Sequence, residues 1–579
     1  MNTKLIVFVF MLVFSILQAS TYINSSTVSG EWTLSGSPYY VMNDISIPEG
    51  QTLSIMPGVR VFTEGLYAIN VNGTLRAIGT AADSIYFSAA DTTAGWHGLH
   101  FNQVANEPDS SYVKYCHISY GKTNSSGNLG YGYREGGGIY MKFRNKVVIS
   151  HSTITKCSAS LQGGGIYSSR GSLILYNSVV TNNVSYGGGG IYTNLASQVV
   201  VKHSVILNNL ALSTTGGGLY LDCAISSESK INNCLISNNT ASINGGGISL
   251  GAGRHFITNC TISYNNSTRV GSHGALSSST LPINKQIVNC ILFNNSTGSS
   301  GTQGITYYTD FKYCSIANGT IGGTDNTQSN IISEDPLFIS PPAGMGANYN
   351  GLSANFGLSY NSPCIDAGDP MLLDADGTRS DIGYRPYLHK AWFQATPLFL
   401  TVGDVVTLQN LSQGYDIPEA LTEWDLDADG AIESNSYNWS YQFNSPGVYP
   451  IKLIQSAGAL RDSCYQTVVV QQNQLPAPDN VMVNVIDSEV VLSWNPLTET
   501  VDNNPVDVNY YVVYSCDRPD GYFRYLGTSE YNSSQFVHEG ASSLSKCFYI
   551  VIGFDGSERD LQEFISKQPV MQATQRFVH

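Results

Sequence analysis

Apolar and polar residues alternate in short runs through the middle of the chain, and the runs come back. The stretch "QGGGIYSSRGSLILYNSVVTNN" at residues 162–183 returns as "GGGGIYTNLASQVVVKHSVILNN" at residues 187–209. Small or branched residues stand two apart in each copy, the spacing that puts both side chains on one face of a strand. One column reads Cys116, Ser152, Ser178, Ser204, Cys234, Cys260, Cys290 and Cys314. Two residues later comes Ile118, Ile154, Val180, Ile206, Ile236, Ile262, Leu292 and Ile316. Glycine clusters end at Gly138, Gly165, Gly190, Gly218, Gly247 and Gly274, at steps of 25–29 residues. Asparagine pairs close the unit at residues 182–183, 208–209, 238–239, 265–266 and 294–295.

A unit this short and this rich in β-formers suits neither a propeller blade nor a helical repeat. It predicts one coil of a parallel β-helix: three short strands and three turns, with successive coils about 4.8 Å apart. Asparagines at matching turns can hydrogen-bond their copies above and below. Glycines permit bends that a Cβ would obstruct. The chain carries 11 cysteines, five of them in one column. In-register side chains on parallel strands stay about 4.8 Å apart, too far and too parallel for a disulfide. Cys234, Cys260, Cys290 and Cys314 are therefore expected to be free thiols filling the core, and CxxC spacing for zinc is missing. Whether Cys516 and Cys547 pair is left open.

The repeats resemble those of the pectate-lyase-like, right-handed parallel β-helix superfamily, and the "GGGIY" and "NN" pattern is similar to bacterial surface β-helix proteins. The resemblance covers residues 21–388. The stretch "SIPEGQTLSIMPGVRVFTEGLYAINVNGTLRAIGTAADSIYFSA" is similar to the first coils and cap of such proteins, and "SPCIDAGDP" with "DADGTRSDIGYRPY" to the segment that closes them. Residues 390–472, with Trp424-Asp425, Tyr441, Phe443 and "SPGVYPIKL", resemble a polycystic-kidney-disease (PKD) type β-sandwich. Residues 475–575, with "LSWNPL", "VNYYVVYSCDRPDGYFRYLGT" and "KCFYIVIGFDG", resemble a fibronectin type III domain. The expected fold class is all-β: a solenoid followed by two sandwiches.

Residues 1–20, "MNTKLIVFVFMLVFSILQAS", have the basic start, apolar middle and small-residue end of a secretory signal. Secretion, to the medium or the cell surface, is the expectation, with no transmembrane segment in the mature chain. The formal charge of −15 argues against a nucleic-acid partner. Between Gly136 and Thr320, however, eleven Lys/Arg face three Asp/Glu, a local +8.

Two functional classes follow. The superfamily resemblance implies a lyase or hydrolase acting on an acidic glycan, which needs a carboxylate cluster for Ca²⁺ or a carboxylate pair. Asp222, Glu228 and Asp310 sit at different points of different coils, so no catalytic residue is assigned. "GSHG" at 271–274 resembles a glycosidase motif but occupies the ordinary glycine slot, and Arg134-Glu135 suits a solvated turn. The other class is a non-catalytic protein for adhesion, matrix structure or polysaccharide binding. Tyr140, Tyr167, Tyr192 and Tyr220 follow the glycine clusters and are expected to face outward one above the other. They form either a strip for sugar rings or a lateral aromatic ladder. No cofactor is required. Asp425, Asp427 and Asp429 in "DLDADGAIE" resemble the start of a calcium loop for a structural ion, although Ser436 holds the position where a bidentate Glu is expected. Ordinary acidic turns explain that segment and "DADGTRSD" equally well.

Overall fold

The computed structural model describes residues 20–102, 110–123, 134–143, 147–296, 302–317, 321–414, 420–457, 460–471, 475–486, 489–501, 503–516, 522–529, 532–539, 548–555, 561–562, 565 and 570–572. The leader at residues 1–19 lies outside them. Two compact units divide the chain, Met1–Tyr387 and Leu388–His579.

The strands of the first unit stack into three parallel sheets, of 23, ten and five strands. Register is kept from coil to coil: Ile139 lies over Ile166, then Ile191, Leu219, Ile248 and Leu276. All six are fully buried in one continuous interior. This register moves one glycine column. The residue equivalent to Gly247 is Ala275 rather than Gly274, because Ile248 pairs with Leu276.

Within the long sheet each coil turns a corner on a single left-handed residue: His151, Asn177, His203, Asn233, Asn259 and Asn289, with φ between +46° and +53°. Asparagine is the most common there because it visits this region at lower cost than other side chains. The next residue is the Ser/Cys column. The hydroxyls of Ser152, Ser178 and Ser204 donate to the carbonyls two residues back, at 2.7–2.8 Å. The thiols of Cys234, Cys260, Cys290 and Cys314 make the same bond at 3.2 Å. The corner requires a small donor, which is why serine and cysteine interchange. The eight described cysteines of this unit are free and buried, and burial pushes the Cys157, Cys223 and Cys314 thiols up to about 12.

A second left-handed corner follows at Lys156, Asn182, Asn208, Asn238, Tyr264 and Asn294. The residue after it points inward, and from the second coil onward it is Asn183, Asn209, Asn239, Asn265 or Asn295. Each Asn Nδ2 donates to the Oδ1 of the next coil at 2.9–3.0 Å, and Asn295 ends the series on Gln303 Oε1 at 3.1 Å. The same Oδ1 also accepts the backbone N–H below it. The second amide proton goes to a carbonyl of the preceding coil. These buried amides are fully satisfied. One asparagine pair shifts accordingly: the fourth is Tyr264-Asn265, not 265–266, with tyrosine on the corner. The glycines feed this ladder. Gly163 takes φ +68°, a Cβ on Gly164 would lie 2.4 Å from the Gly189 carbonyl, and one on Gly165 would lie 3.0 Å from Asn183 Nδ2.

After the last coil the chain does not simply close the open end, as the sequence suggested. A hairpin, Phe338–Ser340 antiparallel to Asn355–Leu358, runs back along the outer wall. The first asparagine of two pairs pins it: Asn238 Nδ2 donates to Gly344 O at 2.9 Å, and Asn208 Nδ2 to Tyr349 O. Phe356 packs on Leu207, Leu235 and Tyr264, and Leu358, Cys364 and Ile382 pack on Ile291. Nearer the last coil, Asn289 Oδ1 accepts from Asp369 N at 2.7 Å and Tyr384 N donates to Thr261 Oγ1 at 3.2 Å. The strap explains why outward positions turn apolar in these coils. The solenoid's final strand, Thr327–Ile332, is a polar, exposed edge, a composition that discourages pairing with other chains.

In Leu388–His579 two pairs of small, mainly antiparallel sheets follow one another. The first surrounds Trp424, Phe393 and Phe443, and the second surrounds Trp494, Tyr511 and Val513. Cys547 and the side chain of Cys516 fall outside the described residues.

Replacing Asn239 with Ala strips the acceptor from the backbone and side-chain N–H groups of Asn209. At about 1–3 kcal/mol per buried unsatisfied group, the loss should be roughly 3 kcal/mol in equilibrium denaturation, and a change below 1 kcal/mol would contradict the ladder's role. Peptide mapping after brief alkylation of the native protein should leave Cys234, Cys260, Cys290 and Cys314 unmodified, with all four reacting in denaturant.

Candidate functional site

On the ten-stranded sheet the residue after each inward Ile or Leu points away from the interior. In successive coils these residues are His100, Tyr140, Tyr167, Tyr192 and Tyr220, paired in register. The four tyrosines stack, with ring centroids 5.5, 5.8 and 4.4 Å apart and planes within 16° of parallel. His100 tilts against Tyr140 at 5.3 Å. The expected column is present, but it is not an open strip: Tyr140 and Tyr167 are only 3% and 8% exposed. At this spacing each ring covers its neighbour's face, so a ligand alongside would meet ring edges and hydroxyls. Tyr220 is the exception, because the next coil places only Ser249 beside it.

Two residues further along each strand lies a second outward column, Lys142, Ser169, Asn194 and then Asp222. Asn194 and Ser169 lie beside the Tyr167 hydroxyl, and the Tyr192 and Tyr220 hydroxyls are neighbours. Burial, then Glu135 and the neighbouring Tyr167, push the Tyr140 phenol up; burial, then neighbouring tyrosines and Asp222, do the same to Tyr192. Arg134 is exposed as the solvated-turn reading expects, but Glu135 is only 8% exposed, which that reading does not. The sequence signal for this face was available as the polar residue two positions after each tyrosine. The burial of Glu135 had no such signal.

The remaining acids of the repeats are engaged elsewhere. Glu228 pairs with Lys230 at 2.6 Å and Arg254 at 3.6 Å, and Asp310 pairs with Lys312 at 2.7 Å. These lie on the long sheet, away from the tyrosines. Asp222 accepts backbone N–H groups of Ala252 and Leu195. Lys285 belongs to no surface: it is fully buried and its Nζ donates to the Ile283 and Tyr307 carbonyls. Beside it in register His255 meets Ser229 Oγ at 2.7 Å, again in the interior. His273 of "GSHG" is buried in its coil's turn, where its carbonyl accepts from Gly245 N. "DADGTRSD" is a turn of the strap: Asp374 Oδ2 accepts from Asp381 N, and Asp381 accepts from Asp366 N and Tyr387 N. Burial raises Asp381 to about 7.

In the second unit the structure brings Asp425, Asp427 and Asp429 together, one oxygen of each lying within 4.8 Å of the others. Among the described residues no helix is long and apolar enough to cross a membrane.

The profile of the family described as "Right handed beta helix region" matches residues 97–248, the segment holding the whole His100–Tyr220 column. The first unit is a right-handed parallel β-helix. No curated protein matches the chain. Solved structures similar to it include the FN1–FN3 domains of chicken CNTN1, at 13% identity and TM-score 0.14, covering 29% of this chain and 59% of that one. Carbohydrate-binding modules from the β-sandwich superfamily match at 13% identity and TM-score 0.15, covering 29% and 97%. A quinonprotein alcohol dehydrogenase-like protein from Bacteroides thetaiotaomicron VPI-5482 matches at 13% and 0.12, covering 28% and 41%.

Burial holds His100 and His255 down at about 4. Both stay neutral in the folded chain while their unfolded counterparts protonate near pH 6.5. Their contribution to stability is therefore intact above pH 6.5 and is lost as the pH falls toward 4, by up to roughly 3 kcal/mol each. Denaturation midpoints at pH 7 and 4.5 check this, and His100→Gln should flatten the slope.

Proposed function

We propose that the protein is an exported, modular, non-catalytic glycan-binding protein whose solenoid holds a polysaccharide along the tyrosine face. The observation that carries this reading is the pair of in-register outward columns, ring edges and hydroxyls beside Ser169, Asn194 and Asp222. Phenols repeated at the coil spacing, flanked by one hydroxyl, one amide and one carboxylate, match the repeated hydroxyls of a linear sugar chain. Most of the basic surplus lies off this face, where Lys142 is the one base of the two columns. Lys202, Lys230, Arg254 and Lys312 lie on the long sheet, whereas Glu135 and Asp222 border the tyrosines. The favoured ligand is therefore uncharged, a change from the acidic glycan that the charge count alone suggests. The apolar leader supports export, and the sandwiches serve as PKD-like and fibronectin type III-like spacers.

A second reading, glycan cleavage, is favoured by one feature: buried Glu135 stands near Tyr140, with His100 against the same ring. Such a set could move a proton.

A glycan array probed with the full chain should give its strongest signals on neutral linear polysaccharides. Tyr192→Phe with Tyr220→Phe and Asn194→Ala, which keep the rings stacked, should weaken binding about tenfold or more, equivalent to about 1.4 kcal/mol. Unchanged affinity would reject the face. Release of shortened or unsaturated sugars, abolished by Glu135→Gln, would replace the binding reading with the catalytic one.

A further inference from the structure

The Asp425–Glu433 loop leaves one strand of the first sandwich and is tied shut at its base. Trp424 N donates to Ser434 O at 2.8 Å, Glu433 N to Trp424 O at 2.9 Å, and the Trp424 indole to Ser436 O at 2.8 Å. Trp424 itself is fully buried, so the base of the loop is part of the core. Left-handed residues at Ala428 (φ +59°) and Gly430 (φ +95°) fold the segment so that Asp425, Asp427 and Asp429 point to one place.

Three like charges held this close oppose one another, and nothing among the described residues neutralises them. None of the ion pairs involves these aspartates. Their hydrogen bonds come from backbone N–H groups of the loop: Gly430 to Asp425 Oδ2 at 3.0 Å, Ala431 to Asp429 Oδ1 at 2.7 Å, and Asp429 to Asp427 Oδ1 at 3.3 Å. A separate observation points to a missing partner. Asp425 is 1% exposed, yet its Oδ1 has no hydrogen-bond partner. A carboxylate oxygen removed from water and left without a donor is costly unless a cation meets it.

We infer that Asp425 Oδ1 and the carboxylates of Asp427 and Asp429 bind one calcium ion. An all-oxygen, anionic donor set excludes soft metals. A loop that supplies only some of the ligands, with water completing the shell, suits the flexible coordination of Ca²⁺ better than the strict octahedron of Mg²⁺. Glu433 does not supply the missing bidentate ligand, since its Oε2 accepts from Leu426 N at 2.8 Å. The site is accordingly of the weaker, extracellular class, with Kd of about 10⁻⁴–10⁻³ M. Binding fastens the loop to the Trp424 base and stabilises this sandwich. The inference is independent of the glycan reading.

The full chain, stripped with chelator, is titrated with Ca²⁺ by calorimetry and with Tb³⁺ by tryptophan-sensitised luminescence. Saturable binding is expected, with Tb³⁺ displaced by Ca²⁺ and not by an equal concentration of Mg²⁺. Asp427 and Asp429 are exposed, so Asp427→Asn with Asp429→Asn should fold, checked by circular dichroism, and should bind at least tenfold more weakly. Asp425→Asn alone should do the same. Ca²⁺ should also raise the melting temperature of the wild type and not of the double variant. No saturable binding, equal displacement by Mg²⁺, or unchanged affinity in the double variant would overturn the assignment.

Discussion

Turning a corner on a single residue is the constraint on which the solenoid depends. A coil that reverses direction through one left-handed residue leaves the next side chain pointing inward, beside backbone groups that no strand can pair. The chain meets this in two ways. At the first corner a hydroxyl or thiol bonds the carbonyl two residues back, within its own coil. At the second an asparagine bonds the coil above and the coil below. The first solution is local and tolerates serine or cysteine. The second is collective, because each amide's partner is its own copy, and it leaves every member of the series dependent on its neighbours.

The same corners decide which surfaces are free. The outward asparagine of a pair is left over once its partner has entered the ladder, and at Asn208 and Asn238 the strap uses it as a peg. This covers one wall in the later coils and makes Leu207, Leu235 and Ile291 interior residues in all but topology. The ten-stranded sheet carries its own lining, the stacked tyrosines and the polar column beside them. On the long sheet Glu228 and Asp310 pair with Lys230, Arg254 and Lys312, while Arg60, Arg76 and Lys114 lie over tyrosine rings. A stretch of solenoid that looks uniformly basic by count is therefore divided into faces of distinct chemistry.

Much of this was legible in the sequence. The Ser/Cys column, the inward Ile two residues on, the free thiols and the tyrosine column all follow from period and alternation, and all are present. Register slipped by one residue at Gly274 and at residues 265–266. In both places a non-repeating residue, Ala275 or Tyr264, took the structural slot, and pattern-matching followed residue type rather than spacing. The strap was not legible as a strap, since no local pattern in residues 333–387 says which wall it will lie against. The burial of Tyr140, Tyr167 and Glu135 was equally hidden: alternation says which way a side chain points, not what packs over it. The three aspartates were visible as a motif, whereas the unpartnered oxygen of Asp425 is a property of the folded loop alone.

Hydrogen exchange in the native protein tests the corner-and-ladder account most directly. The backbone amides of Asn183, Asn209, Asn239 and Asn265, each bonded to the next side chain, should exchange only with global unfolding of the solenoid and at a common rate. Rates that differ widely from coil to coil, or that match those of the exposed edge strand at residues 327–332, would mean that the coils open singly and that the asparagines do not hold them together.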